Sequence, residues 1–206
     1  LVLLSSELLR NKLKGSNPAI INLGHAADII NFEQNGGTIK ELPGKNVIKA
    51  GLIANYNNNI DYDLIEEIAL KNKTVDFIFV GPYTNNNLGG SSDILRQKIN
   101  ALKQYGNVFF IGSVPSNDLI IWMRSFDINL VLYKEERRDI IINPHKMMGY
   151  FYSGNITICS WFNEYKDAEE TFLIMTESNN EIPNKIAEVA KSLAKFNSPS
   201  LKLNLL

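Results

Sequence analysis

The chain alternates short apolar runs with stretches whose apolar residues recur at helical spacing. Residues 47–54 form an apolar run of strand length. Ile60, Leu64, Ile65, Ile68 and Ala69 then repeat every three or four positions, the stripe of an amphipathic helix. Residues 75–80 predict a second strand, closed by Gly81-Pro82. Ser91-Ser92-Asp93 offers a cap for a helix bearing Ile94, Leu95, Ile99 and Leu102. Strand 108–111 stops at Gly112, a helix is predicted from Ser116-Asn117-Asp118 through Arg124, and a fourth strand covers 128–133. Pro144 suits the first turn of a helix running through Tyr152, where its missing N–H would be unpaired anyway. Residues 156–160 and 172–175 read as further strands. A last helix over 181–195 carries Ile182, Ile186, Val189, Ala190 and Leu193 on one face. Strands separated by one helix each predict an α/β fold on a doubly wound, parallel, Rossmann-like sheet.

The first 45 residues do not fit this repeat. Strand 1–4, helix 6–14 and strand 19–23 are followed by a Gly- and Pro-containing stretch. The expected division is 1–32 as a remnant of a preceding domain, 33–44 as a linker, and 45–206 as the main domain. With 206 residues, 45% of them hydrophobic and 21% charged, the chain has the composition of a folded protein. Its net charge of -1 provides no general field to hold a polyanion, so nucleic acid is not an expected partner. One cysteine, Cys159, forms no internal disulfide, which fits a cytoplasmic setting. No apolar run reaches the length of a membrane span, although peripheral contact with a membrane stays open.

Open parallel sheets bind ligands outside the carboxyl ends of their strands. The connection after the 128–133 strand is the richest in chemistry. Arg137, Arg138 and Lys146 stand near the helix start at Asn143-Pro144-His145. Cations beside a helix N-terminus suit a diphosphate, because side-chain charge and free N–H groups act on the same anion. The competing reading is that 134–139 is a self-neutralising solvated loop. Two histidines, His25 and His145, and one cysteine cannot supply a metal-ligand cluster. The motifs of serine hydrolases, P-loop enzymes and dinucleotide-binding enzymes are absent, so no metal and no cofactor is expected.

The order of these features resembles the carboxy-terminal, donor-binding half of a GT-B fold glycosyltransferase, near the group-1/family-4 enzymes of bacterial polysaccharide synthesis. The residues that carry the resemblance are Asn22-Leu23-Gly24-His25-Ala26-Ala27-Asp28 with Phe32, then Gly51-Leu52-Ile53, Phe79-Val80-Gly81-Pro82 and Asn107 through Gly112. The last is Asn143-Pro144-His145-Lys146 with Tyr150, Gly154 and Ile156.

The resemblance implies transfer of a sugar from a nucleoside diphosphate sugar to an acceptor glycan or lipid-linked sugar, the acceptor being held by an amino-terminal domain that this chain lacks. By itself the fragment would be inactive. Lys146, Arg137, Arg138, Asn143, Pro144 and His145 would meet the diphosphate. Val114, Gly112, Gly149 and Tyr150 would form the base and ribose pocket. Asn55, Gly81, Tyr133 and Glu164 would make sugar or loop contacts. One departure is plain: the paired glutamates of the family fall on Ile141 and Gly149. Either Glu135, Glu136 or Glu164 substitutes, or the protein is a non-catalytic binding module that keeps the fold. A sugar-nucleotide epimerase-like protein is a third reading.

Overall fold

The computed structural model describes residues 2–4, 7–15, 20–22, 33, 37–83, 93–137, 144–166 and 172–196. Its main body is a six-stranded sheet built from β3 (Ile48–Ile53), β4 (Val75–Val80), β5 (Val108–Gly112), β6 (Ile128–Val131), β7 (Ile156–Ser160) and β8 (Leu173–Thr176). The spatial order is β5-β4-β3-β6-β7-β8, and neighbouring strands pair in parallel. This order is the doubly wound one, with its reversal between β3 and β6.

Helices cover both faces, which is why the inner strands read as near-continuous apolar runs, broken only singly by residues such as Lys49, Asp76 and Asn129, rather than as alternating ones. All six residues of β4 are buried. One core joins α2 (Tyr62–Lys71), α3 (Asp93–Leu102) and α6 (Ile182–Phe196) to strand residues such as Leu52, Phe77, Phe79 and Ile158. The opposite core joins α4 (Leu119–Ser125) and α5 (Lys146–Ser153) to Ile53, Ile78, Val80, Val131 and Cys159. The assignment follows from the period of two along each strand: Leu52 faces one layer and Ile53 the other.

The elements differ from the sequence reading mainly at their ends. The 128–133 run stops as a strand at Val131, and Tyr133 instead makes an isolated antiparallel bridge with Ile60. The N–H of Asp61 donates to Leu132 O, so the loop after β3 takes over the backbone groups that β6 would have offered a neighbour. Ser116–Asp118 is a separate 3-10 turn before α4, and Pro144 lies just ahead of α5. The proposed cap at Ser91-Ser92 lies outside the described residues, as do His25 and most of the 22–32 motif.

At the amino end, β1 (Val2–Leu4) and β2 (Ile20–Asn22), with α1 (Glu7–Lys12), form a separate two-stranded parallel sheet. The stretch read as linker is partly docked on the main body. The N–H of Ile39 donates to Ser125 Oγ at 2.7 Å, and Leu42 packs against the core of α4 and α5.

Candidate functional site

Tyr150 determines how the reversal point is built. Strands β3 and β6 pair only at Ala50–Ile128 and Gly51–Asn129. Beyond this, the N–H of Ile53 donates to the Tyr150 hydroxyl at 2.9 Å. Tyr150 is fully buried on α5, whose inward face repeats as Met147, Tyr150 and Ser153. Ser153 Oγ accepts from Asn129 Nδ2 at 3.0 Å and donates to Tyr150 O, which fixes the helix on β6. Tyr150, expected by resemblance at a nucleotide pocket, is buried in the core shared by α4 and α5. Tyr150→Phe is therefore expected to leave a buried N–H without a partner and to lower stability by about 1–3 kcal/mol, read by urea unfolding.

The carboxyl edge of β3, β4 and β5 is stitched by backbone. The N–H of Gly81 donates to Gly112 O at 2.8 Å, and Ala54 N–H donates to Val80 O at 3.0 Å. Gly81 has φ +132° and a Cβ there would lie 1.9 Å from Ala54 O, so only glycine fits. Gly81 is thus buried against the neighbouring strand end, while Asn55 is exposed and Val114 packs half-buried against the α4–α5 core.

Cations gather after β6. Lys146, in the first turn of α5, is half-buried with its ammonium 5.0 Å from the centroid of the Tyr133 ring. At this distance the ring face attracts the charge. Withdrawal of the ammonium from water lowers the Lys146 pKa to about 7. Burial pushes the Tyr133 phenol the other way, up to about 12. Arg137 is half-buried, and its Nε is buried without a hydrogen-bond partner. Among the described residues neither Lys146 nor Arg137 has an acidic partner. Pro144 is buried and His145 exposed at the start of α5, while Glu164 sits half-buried in the 3-10 turn after β7. Gly149 is buried within α5. Arg138, Ile141 and Asn143 lie outside the described residues.

One set of residues was missed by sequence reasoning. Asn179, nine-tenths or more buried before α6, donates from Nδ2 to Asp61 Oδ2 at 2.8 Å and to Tyr133 O at 2.9 Å. Its Oδ1 accepts from Ser160 Oγ at 2.6 Å, and its N–H donates to the Glu135 carboxylate. Glu135 is thus engaged with the fold rather than only balancing charge within its loop. The cap role of Asp61, which accepts from Leu64 N–H, could have been found from its place before the helical stripe. The partners of Asn179 could not, being 19 to 118 residues away.

No protein-family model matches the sequence, and no curated protein matches it significantly. Solved structures do match in shape. Sucrose-phosphate synthase from Thermosynechococcus elongatus superposes with a TM-score of 0.70 at 10% identity, over 99% of this chain and 53% of that one. Anabaena HepE in complex with UDP-glucose gives 0.70 at 16% identity, over 100% and 57%. A glycosyltransferase from Rickettsia africae ESF-5 gives 0.69 at 12%, over 99% and 57%. The chain has the fold of one half of a GT-B glycosyltransferase. It spans about half the length of these solved structures, and the GT-B half accounts for nearly all of it. No helix among the described residues is long and apolar enough to cross a membrane.

Proposed function

We propose that this chain is the donor-binding half of a glycosyltransferase and that Lys146 and Arg137 grip the diphosphate of a nucleoside diphosphate sugar. The observation that carries the reading is the pair of half-buried cations that have no acidic partner among the described residues, on one connection at the carboxyl side of a parallel sheet. A cation withdrawn from water with no counter-charge is destabilised unless an anion completes it. In transfer, the bond from the sugar C1 to the diphosphate oxygen breaks and negative charge grows on the leaving diphosphate. A fixed ammonium and guanidinium there stabilise that charge more than the starting state. HepE, a neighbour in fold, is described in complexes with UDP-glucose and with UDP, which makes such donors the first to test.

The acceptor, a glycan or a lipid-linked sugar in polysaccharide synthesis, falls to a second domain in this reading. Leu3 and Ile21 support that division. They are register partners across β1 and β2 and are 56% and 47% exposed. Two parallel strands with an open apolar pair call for more sheet to cover them. A second reading, a binding module without catalysis, is favoured by the glycine at 149, where the resemblance places a ribose-binding glutamate. Titration calorimetry with UDP-glucose and GDP-mannose at pH 6.5 tests the donor site. Saturable one-to-one binding of either is expected, and silence from both at millimolar concentration would remove the proposal.

A further inference from the structure

Two of the hydrogen bonds that Asn179 makes hold the turn after β6. Its Nδ2 donates to Tyr133 O, and its N–H donates to the Glu135 carboxylate two residues later. The same turn is held from the other side by the loop after β3. Lys134 N–H donates to Asn59 O at 3.0 Å, and Ile60 bridges Tyr133. The turn then closes with Arg137 N–H on Lys134 O at 3.0 Å. Tyr133 supplies the ring under the Lys146 ammonium, and Arg137 ends the same 3-10 turn. Both cations of the proposed diphosphate site therefore depend on where Tyr133–Arg137 runs.

We propose that Asn179 is a positioning residue for this site, setting the turn that carries Arg137 and the Tyr133 ring against which Lys146 rests. The proposal rests on the donor-site reading for its functional meaning, but its geometry stands apart from any ligand. The chemistry requires asparagine. A single nitrogen must offer two hydrogens, one to the Asp61 carboxylate and one to the Tyr133 carbonyl, while the oxygen accepts the Ser160 hydroxyl. Aspartate has the same size and no N–H, and it would place a third carboxylate beside Asp61 and Glu135. Alanine removes the side-chain bonds but leaves the backbone donor to Glu135.

The test is the titration of the Lys146 side chain, followed by NMR on carbon-13 lysine in the ligand-free 206-residue chain. In Asn179→Ala, Tyr133 loses its hold and water reaches the ammonium. Lys146 is then expected to titrate about one pH unit or more above the wild-type value, toward the ordinary lysine range. Ser160→Ala is the control. It removes one bond at the same residue and leaves both Nδ2 donations intact, so the Lys146 titration should not move even if the melting temperature falls. A purely structural role for Asn179 would lower stability in both variants and shift Lys146 in neither, and that result overturns the proposal. If Asn179→Ala does not fold, Asn179→Leu, of similar size and without charge or side-chain hydrogen bonds, is read in the same way. UDP-glucose titration of the same proteins separates the two ideas. A shifted Lys146 with no nucleotide binding in wild type sinks the donor reading alone, and binding with an unmoved Lys146 sinks the positioning role alone.

Discussion

Replacing Lys146 with methionine is expected to weaken binding of a nucleoside diphosphate sugar roughly 10- to 100-fold at pH 6 and to abolish most of the pH dependence of that binding above neutrality. The size follows from a charged hydrogen bond of about 1.5–3 kcal/mol being removed. The pH dependence follows from the lysine itself. Its pKa near 7 in the free protein means that the charged, anion-gripping form is complete in mild acid and falls about tenfold per pH unit above 7. The donor contributes no titration over this range. The second phosphate ionisation near pH 6 belongs to a phosphate monoester, and each phosphate of a nucleotide sugar is linked on both sides, by one ester and by the shared anhydride. Tyr133, at about 12, keeps its proton throughout. His145, exposed on the same turn, is separated by His145→Gln, in which the fall above pH 7 should persist.

The free protein carries a second readout. In the unfolded chain Lys146 keeps its proton to about 10.4, whereas the folded chain releases it near 7. Between these values the unfolded state binds more protons, so stability rises with pH across that window, and Lys146→Met should remove this rise. Calorimetry from pH 6 to 9 and urea melts over pH 7 to 10 measure the two effects. A flat binding curve in wild type would show that the lysine does not hold the anion.

How much could be read from sequence depended on whether the cause was local. β4 and β7 were legible because strands covered on both faces are mostly apolar, with polar exceptions at Asp76, Thr157 and Ser160, and α6 because its buried residues repeat at helical spacing. The end of β6 was not. Leu132 and Tyr133 are apolar enough to continue a strand, but the loop after β3 claims their backbone, a contact between distant segments. The site divided in the same way. Lys146 was visible from its place at a helix start. For Tyr150 the motif gives spacing and not facing, so its burial against β3 could not be read from it. The run 134–139 shows the limit of charge counting, since Glu135 is engaged by Asn179 and Arg137 lacks an acidic partner among the described residues.

Asp76→Ala is expected to produce a large loss of stability, about 3–5 kcal/mol, because it strips the partner from a cation only 13% exposed and removes a buried carboxylate from its hydrogen bonds. Asp76 is 1% exposed on β4, opposite Lys49 on β3, and the two charges meet at 2.7 Å. The carboxylate is fully engaged. Its Oδ2 also accepts from Asn46 N–H at 2.8 Å and its Oδ1 from Asn46 Nδ2 at 2.9 Å, while Lys49 Nζ reaches Pro43 O at 3.0 Å. Gly44 permits this approach. At φ +94°, a Cβ there would lie 2.1 Å from Asp76 Oδ2, so a side chain would displace the carboxylate. The cluster therefore ties Pro43 and Gly44, the end of the expected linker, and Asn46 just beyond it to the amino edge of the sheet. That edge is opposite the proposed donor site, so donor affinity should be unchanged while the midpoint of urea unfolding falls. Because an apolar pair of similar volume replaces a buried ion pair with little or no loss, Lys49→Met with Asp76→Leu should recover most of the stability. A change under about 1 kcal/mol in Asp76→Ala would mean that water already reaches the pair. If the loss is instead confined to 37–46, proteolysis there would accelerate with no shift of the global midpoint, and the cluster would be an anchor for the linker rather than a support of the sheet.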